Sequence, residues 1–131
     1  MERTGISSNR SWSNVAYSRA LRVGDLIEVA GTTASGPGGE ILHPGDMYGQ
    51  ASEICGIIQR AVEELGGSID DVVRTRVFVT DISQWEAAGR AHFEAFGHMA
   101  YPPASAFYGI KELLHPDLLI EVEATAIVGS S

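Results

Sequence analysis

The last apolar segment of the chain, residues 119–127, carries two carboxylates on one of its sides. Its side chains alternate in character, so Glu121 and Glu123 point away from the apolar side chains around them. Those apolar side chains are Ile120, Val122, Ala124 and Ala126. A carboxylate in this position can orient or deprotonate a water molecule. The pattern is usual for a solvated face and also fits a polar site covered by another subunit, and both interpretations stay open.

Arg90, on a predicted helix, is a candidate to bind an anion, because a guanidinium can hold a carboxylate through two parallel hydrogen bonds. The competing interpretation is an ion pair with Glu86 or Glu94, since each lies four residues from Arg90 on the same helix. His92 lies only two residues from Arg90 and therefore does not share its helix face.

Other chemistry finds little support in the sequence. The four histidines are scattered and show no metal-binding spacing. The single cysteine, Cys55, is interpreted as a buried, unreactive thiol, because no neighbouring base in the sequence would activate it. The glycine-rich segment 36–39 is not followed by Gly-Lys-Ser/Thr, and no Gly-x-Ser-x-Gly elbow occurs. The sequence therefore predicts no metal, no cofactor and no serine-hydrolase chemistry.

Size and charge narrow the class of protein. The 131 residues predict one domain, residues 1–131, with an irregular N-terminal segment over residues 1–14. Nine basic and 17 acidic residues give a net charge of −8, which disfavours a nucleic-acid partner. No run of about 18 apolar residues is present, so no membrane span is predicted. A polar N-terminus and one cysteine favour the cytoplasm.

Turn and cap residues predict where the strands and the helix of the first half of the chain begin and end. A hairpin is predicted with its turn at Val23-Gly24-Asp25. A glycine- and proline-rich loop follows over residues 35–45, with a short edge strand near Ile41. Asp46 is expected to cap a helix that runs to about Leu65 and stops at a glycine pair.

The second half of the chain repeats the alternation of strand and helix. Residues 72–80 predict a β-branched strand. Its apolar face would consist of Val73, Val77 and Val79. Ser83 is expected to cap a second helix, as a capping box with Glu86, and this helix ends at Phe96. Two strands follow, joined by a turn. The order predicts an α+β fold with two helices across one sheet, the strands flanking the first helix being parallel neighbours.

From about Val15 to Val128 the chain resembles the YjgF/RidA family. The resemblance rests on the order and spacing of several stretches together: Tyr17, Gly24 to Gly31, Leu65-Gly66-Gly67, Val77 to Asp81, Phe93 to Phe96, Pro103-Ala104-Ser105 and Ile120 to Ala124. It implies a chorismate-mutase-like protomer with a mixed β-sheet packed by two helices. It further implies a barrel-forming homotrimer with ligand pockets between subunits, as symmetric closure of oligomers would allow.

The resemblance also implies roles for residues. Deaminases of the family hydrolyse reactive enamine and imine intermediates that PLP enzymes make from amino acids. Their pocket tyrosine, glycine and water-positioning glutamate fall on Tyr17, Gly31 and Glu121. The arginine that binds the substrate carboxylate falls on Ser105, which has no charge and cannot make a two-pronged contact. That loss would cost about 2–4 kcal/mol of binding, roughly 30- to 1000-fold.

Three further positions lie at or beside the predicted pocket. Arg90 falls where the deaminases usually place a pocket asparagine, so we hypothesise that it supplies the missing positive charge. Phe107 and Tyr108 alternate along their strand, so one of them is expected to face the ligand and favour a ring-bearing substrate, the alternative being core packing. The predicted site thus has Glu121 as its catalytic residue and five ligand-binding residues: Tyr17, Gly31, Arg90, Ser105 and Phe107.

Three functions are compatible with this site. The first is an imine or enamine hydrolase, and the second is a non-catalytic regulatory protein that binds a ligand in the same pocket. The third is an endoribonuclease or translation inhibitor, which the acidic composition disfavours. We predict a RidA-like homotrimer whose pockets accept small carboxylate metabolites. Because of Ser105, its standard deaminase activity is expected to be weak or absent, and whether it is an enzyme stays open.

Overall fold

The computed structural model describes residues 1–8 and 15–131, and in them six strands and two α-helices. The strands are β1 (Arg3–Ser7), β2 (Ser18–Val23), β3 (Leu26–Thr32), β4 (Val72–Val79), β5 (Ala104–Gly109) and β6 (Ile120–Ile127). The helices are α1 (Met47–Glu64) and α2 (Trp85–Phe96). Short 3-10 turns at Ile69–Asp71 and Ile82–Gln84 precede β4 and α2. The predicted α+β class is confirmed.

The six strands form one mixed sheet in the order β1-β2-β3-β6-β4-β5. Within the described residues, β4 and β5 are parallel and the other neighbouring pairs are antiparallel. Both helices pack on one face of this sheet, where the alternating apolar residues of β6 are buried with those of β3 and β4. The opposite face, called the outer face below, carries the remaining side chains of the strands, including Glu121 and Glu123.

The neighbours of β6 differ from the prediction. The strands flanking α1, β3 and β4, are not neighbours, because β6 lies between them and pairs antiparallel with both. Likewise β5 and β6 are separated by β4, and the parallel neighbours are β4 and β5, which α2 connects. The physical reason is that β6 buries four apolar side chains on the helix face, so the centre of the sheet is where it loses most apolar surface to water.

The first helix follows its predicted bounds closely. The Asp46 side chain accepts a hydrogen bond from the Gly49 backbone N–H at 2.9 Å, a cap that stabilises a helix by about 1 kcal/mol. Gly66 then adopts a φ of +89°, which glycine tolerates without steric cost and which ends the helix. The predicted apolar stripe, with Ile54 and Ile58 at its centre, is buried against the sheet.

At the N-terminus the described part of the segment predicted to be irregular contains a strand. Arg3–Ser7 pairs with β2 as the edge of the sheet. Most of its side chains are exposed on both faces, so no apolar alternation marks it in the sequence. The rest of the predicted segment lies in residues 9–14, outside the described residues.

Two local predictions for β4 and α2 were wrong. The β4–β6 register shifts between Val72 and Arg74, so Val73 is not on the buried face, and Val72 takes its place there. Ser83 is not the cap of α2. Asp81 instead accepts hydrogen bonds from the Ser83 N–H at 3.0 Å and its hydroxyl at 2.6 Å, which begins a 3-10 turn. A carboxylate is the stronger acceptor, and these bonds lower the pKa of Asp81.

Among the described helices, none is both long and apolar enough to span a bilayer.

Candidate functional site

The outer face of the sheet combines aromatic and acidic side chains at one end. Phe78 of β4 is in register with Glu121 of β6 and with Tyr108 of β5. The Phe78 and Tyr108 rings stack with centroids 5.4 Å apart. Tyr108, and not Phe107, is therefore the member of the pair that shares a face with Glu121. A ring pair beside a carboxylate creates a partly apolar surface, in which a charge is poorly solvated.

Glu121 lies against the backbone of Gly31. A Cβ built on Gly31 would be 2.5 Å from Glu121 Oε1 and 2.8 Å from its Cδ. The β3–β6 register shifts between Val29 and Thr32, and this irregularity contains Gly31. A residue without a side chain is therefore needed at position 31 for the carboxylate to adopt its present position.

The pKa of Glu121 is raised above its ordinary value. Loss of solvation is the main cause, and repulsion by Glu123 adds to it, whereas the positive charge of Arg19 acts in the opposite direction. A raised pKa makes the carboxylate a stronger base toward a water molecule.

Arg19 is a site residue that the sequence analysis missed. Its Nη1 donates to the Gly31 carbonyl at 3.0 Å, and its Nη2 donates to the Ala30 carbonyl at 2.6 Å and to Thr32 Oγ1. The guanidinium thereby fixes the backbone that surrounds Gly31. The signal was available, because Arg19 lies two residues after Tyr17 and side chains two apart on a strand share a face.

Three of the predicted site residues meet in one cleft of about 650 Å³. Tyr17, Gly31 and Glu121 line it, together with Arg19 and Phe78. The Tyr17 hydroxyl accepts a hydrogen bond from Ser8 Oγ at 2.7 Å. We call this cleft the Glu121 cleft. Its polar groups include the carboxylates of Glu112, Glu121 and Glu123, the guanidinium and the phenol, and this set is able to orient a water molecule and a polar substrate.

Ser105 and Phe107 lie on the other side of the sheet, toward α2. Ser105 Oγ is 2.7 Å from Thr75 Oγ1 and 3.1 Å from the Pro103 carbonyl oxygen. The Phe107 ring meets the edge of the His92 ring with centroids 5.9 Å apart. Within one protomer, the predicted site residues therefore divide into a Glu121 group and a Ser105 group on opposite faces.

Arg90 belongs to neither group. Its guanidinium carbon lies 4.0 Å from the centre of the Tyr48 ring, a cation–π contact between α2 and α1. The Tyr48 hydroxyl donates to Glu94, and this bond raises the pKa of Tyr48. Among the described ion pairs none joins Arg90 to Glu86 or Glu94, so that interpretation was wrong. A contact of Arg90 with a ligand stays a prediction.

Cys55 is partly buried on α1, and burial raises the pKa of its thiol to about 11. The thiol is therefore protonated near neutral pH, as expected for an unreactive cysteine. Within residues 1–8 and 15–131, no three side chains of His, Cys, Asp or Glu converge as metal ligands would.

Comparison with known proteins shows the family. A sequence model of the family described as Endoribonuclease L-PSP matches residues 8–128, and the chain belongs to this family. The crystal structure of Rv2704 from Mycobacterium tuberculosis, a member of the YjgF/YER057c/UK114 family, is similar with a TM-score of 0.84 and 39% identity. That similarity covers 97% of this chain and 100% of the other, and it confirms the predicted family and α+β fold.

Two curated relatives are similar over almost the whole chain. An uncharacterized protein of Streptomyces coelicolor is 32% identical over 126 residues, which cover 95% of this chain and 92% of that protein. The 2-iminobutanoate/2-iminopropanoate deaminase of Escherichia coli is 31% identical over 130 residues, which cover 97% of this chain and 98% of that protein.

Proposed function

We propose that this protein hydrolyses imines and enamines, with Glu121 as the residue that positions and deprotonates the attacking water. We further propose that its turnover of small 2-imino acids is weak, because Ser105 provides no charge for their carboxylate. The main support for the proposal is the contact between Glu121 and Gly31. The Glu121 carboxylate has a raised pKa, and it occupies the space that any side chain at position 31 would fill. The similarity to an imine deaminase supports the choice of reaction.

The reaction can be written with Glu121 as a proton shuttle. Its carboxylate accepts a proton from water while the water oxygen bonds to the imine carbon, and the imine nitrogen takes that proton to give a carbinolamine. The carboxylate then accepts the proton of the new hydroxyl and returns it to the nitrogen. The C–N bond breaks, and a carbonyl compound and ammonia are released. No redox partner is needed, and one water molecule is consumed.

Assembly into a homotrimer is part of the proposal. Three apolar residues, Leu26, Tyr108 and Ile127, are exposed on strands of the sheet. Exposed apolar surface of this kind is expected at an interface between subunits. In such a trimer the Glu121 group of one subunit would face the Ser105 group of the next, and the two half-sites would form one pocket.

The missing arginine decides what the pocket accepts. Arg19 lines the Glu121 cleft, but both of its terminal nitrogens already donate to backbone carbonyls, so binding a carboxylate would break bonds that fix Gly31. Small carboxylate metabolites would thus enter the pocket without a dedicated guanidinium. We therefore expect 2-imino acids to bind more weakly than they would with an arginine at position 105.

The test is ammonia release from 2-iminopropanoate generated in situ, compared with the Escherichia coli deaminase. We expect a kcat/KM at least about 30-fold lower than that of the deaminase, from the lost ion pair. Ser105→Arg is expected to raise the rate, and Glu121→Gln is expected to abolish it. A wild-type rate equal to that of the deaminase would contradict the role given to Ser105.

A non-catalytic, ligand-binding role is the second candidate, and Ser105 is the observation that favours it. The same assay separates the two functions. Equal ammonia release by the wild type and Glu121→Gln, with every imine supplied, would leave binding as the remaining function of the pocket.

A further inference from the structure

A second cleft, of about 400 Å³, lies between α2 and β5. We call it the aromatic cleft, because its walls include Trp85, Phe93, Phe96 and Phe107. None of its nine lining residues is Asp, Glu, Lys or Arg. His92 also lines the cleft, and burial lowers the pKa of its imidazole, so that the ring is neutral near pH 7. An anion inside the cleft would therefore meet no full positive charge.

Two of these aromatic rings are unusually open to solvent. Trp85 is 53% exposed and Phe93 is 70% exposed. Exposed aromatic surface costs about 25 cal/mol per Å² relative to burial, so a cluster of such rings is typical of a binding surface. These two residues flank the cleft about two turns apart on α2, and they do not pack into the main core.

Gly89 lies between them in the middle of α2. Glycine within a helix costs about 1 kcal/mol relative to alanine. A Cβ built on Gly89 would meet Trp85 Cε3 at 4.0 Å as its nearest neighbour, so packing among the described residues does not require a glycine there. Gly89 also lines the aromatic cleft, and its lack of a side chain keeps the cleft deep.

Hydrogen bonds connect His92, which lines the cleft, with Ser105, whose Oγ lies 3.4 Å from His92 Nε2. His92 Nε2 is 2.8 Å from Thr75 Oγ1, which is 2.7 Å from Ser105 Oγ, and Ser105 Oγ is 3.1 Å from the Pro103 carbonyl oxygen. Each of the three contacts is a hydrogen bond if His92 donates to Thr75 and Thr75 donates to Ser105, while Ser105 donates to the Pro103 carbonyl. The Ser105 oxygen then keeps one lone pair, and Ser105 is exposed. The cleft thus has aromatic walls, and one acceptor lies next to its lining residue His92.

We infer that the aromatic cleft binds a neutral, ring-bearing small molecule that donates one N–H or O–H hydrogen bond to Ser105 Oγ. The rings supply apolar contact area, Gly89 supplies room, and the absence of charged lining residues together with a net charge of −8 selects against anions. The inference deepens the proposed function, and it rests on that function in taking Ser105 to be part of the ligand site. The preferred imine would carry an aromatic ring and no carboxylate, and its N–H would donate to Ser105 Oγ.

The test compares two probes of the same size, neutral indole-3-acetamide and anionic indole-3-acetate, by calorimetry and by amide chemical shifts at Gly89 and Gly97. We expect indole-3-acetamide to bind at least about tenfold more tightly and to shift both amides. Gly89→Leu, which fills the cleft, should weaken it more than about tenfold, whereas Glu86→Leu on an exposed side of α2 should not. Ser105→Ala should weaken it about three- to tenfold, as expected for one hydrogen bond. Ser105→Arg should reverse the preference in favour of the acetate.

Equal affinity for the two probes, or tight binding that survives Gly89→Leu, would overturn the inference. So would a change of oligomeric state on Gly89→Leu without any probe binding, because a second copy of the chain would then be the occupant. Glu121→Gln distinguishes this inference from the proposed function. Probe binding that persists while no variant releases ammonia contradicts only the function, and Glu121-dependent ammonia release without probe binding contradicts only the inference.

Discussion

The carboxylate of Glu121 and the backbone of Gly31 are in direct contact across neighbouring strands, with only 2.5 Å between Glu121 Oε1 and the place of a Cβ on Gly31. The two residues are 90 positions apart in the chain and meet because β6 pairs with β3. The contact orders a half-buried charge and leaves it beside a cleft. Its consequences can be separated by substituting one partner at a time.

Gly31→Ala is expected to displace Glu121 with little loss of stability. The atoms that a methyl group would strike belong to the far end of a flexible side chain, which can rotate away. Ammonia release should therefore fall by a large factor, while the free energy of unfolding changes by less than about 1 kcal/mol. Urea unfolding and the ammonia assay on the same sample check this. An alanine variant with full activity would show that the present position of Glu121 is not required.

Arg19→Gln is expected to raise the pKa of Glu121 further, since the positive charge of Arg19 lowers it in the wild type. The variant should also lose stability by about 1–3 kcal/mol, because the Ala30 and Gly31 carbonyls lose a charged donor. Arg19→Lys is the control: it keeps the charge and loses the two-pronged geometry, so stability should fall with a smaller pKa change. NMR titration of the Glu121 carboxyl carbon measures both variants. A pKa that falls in Arg19→Gln would contradict the assignment.

The pH dependence of stability follows from the same carboxylate. Its folded-state pKa is raised above the ordinary value of 4.5, because the folded protein favours the protonated form. The stability that this preference contributes is fully present below pH 4.5 and is lost as the pH rises through the folded-state pKa. Glu121→Gln, which resembles the protonated form, should therefore match the wild type at acid pH and be more stable at pH 7 to 8. Thermal unfolding at several pH values checks this. A glutamine variant that is less stable at pH 8 would indicate that burial does not dominate the environment of Glu121.

Alternation predicted the faces of β6, but it could not predict the neighbours of β6. The period of two in Ile120–Ile127 states which side chains are buried, whereas the position between β3 and β4 depends on which arrangement buries most apolar surface. The edge strand Arg3–Ser7 was missed because all of its side chains except Ile6 are exposed, so it shows no apolar alternation. For the site, the resemblance named Tyr17, Gly31 and Glu121, and these three residues line one cleft of the protomer. The contact of Arg90 with Tyr48 depends on the packing of α1 on α2, which no local pattern encodes.

Gly89→Ala is expected to stabilise the protein by about 1 kcal/mol, because alanine is the better helix former and a Cβ at this position has no closer neighbour than 4.0 Å. Gly97→Ala is the matched control at the end of α2. There a Cβ would lie 2.6 Å from the Phe93 carbonyl oxygen, which is backbone and cannot move freely, so this variant should be destabilised. The midpoint of thermal unfolding measures both. A lower midpoint for Gly89→Ala would show that the glycine is needed for the fold and not for the cleft.

Assembly is tested on the outer face, where Ile127 pairs with Leu26 and both side chains are exposed in the protomer. In a trimer that covers this face, Ile127→Asp would bury an unpaired charge, at a cost of several kcal/mol per subunit. We therefore expect the wild type to sediment as a trimer and Ile127→Asp to sediment as a monomer that keeps its helical circular dichroism. Ser52→Asp adds the same charge on an exposed position of α1 and should leave the trimer intact. A monomeric wild type would remove the facing half-site from the proposed pocket, and ammonia release would then have to come from the Glu121 cleft of a single chain.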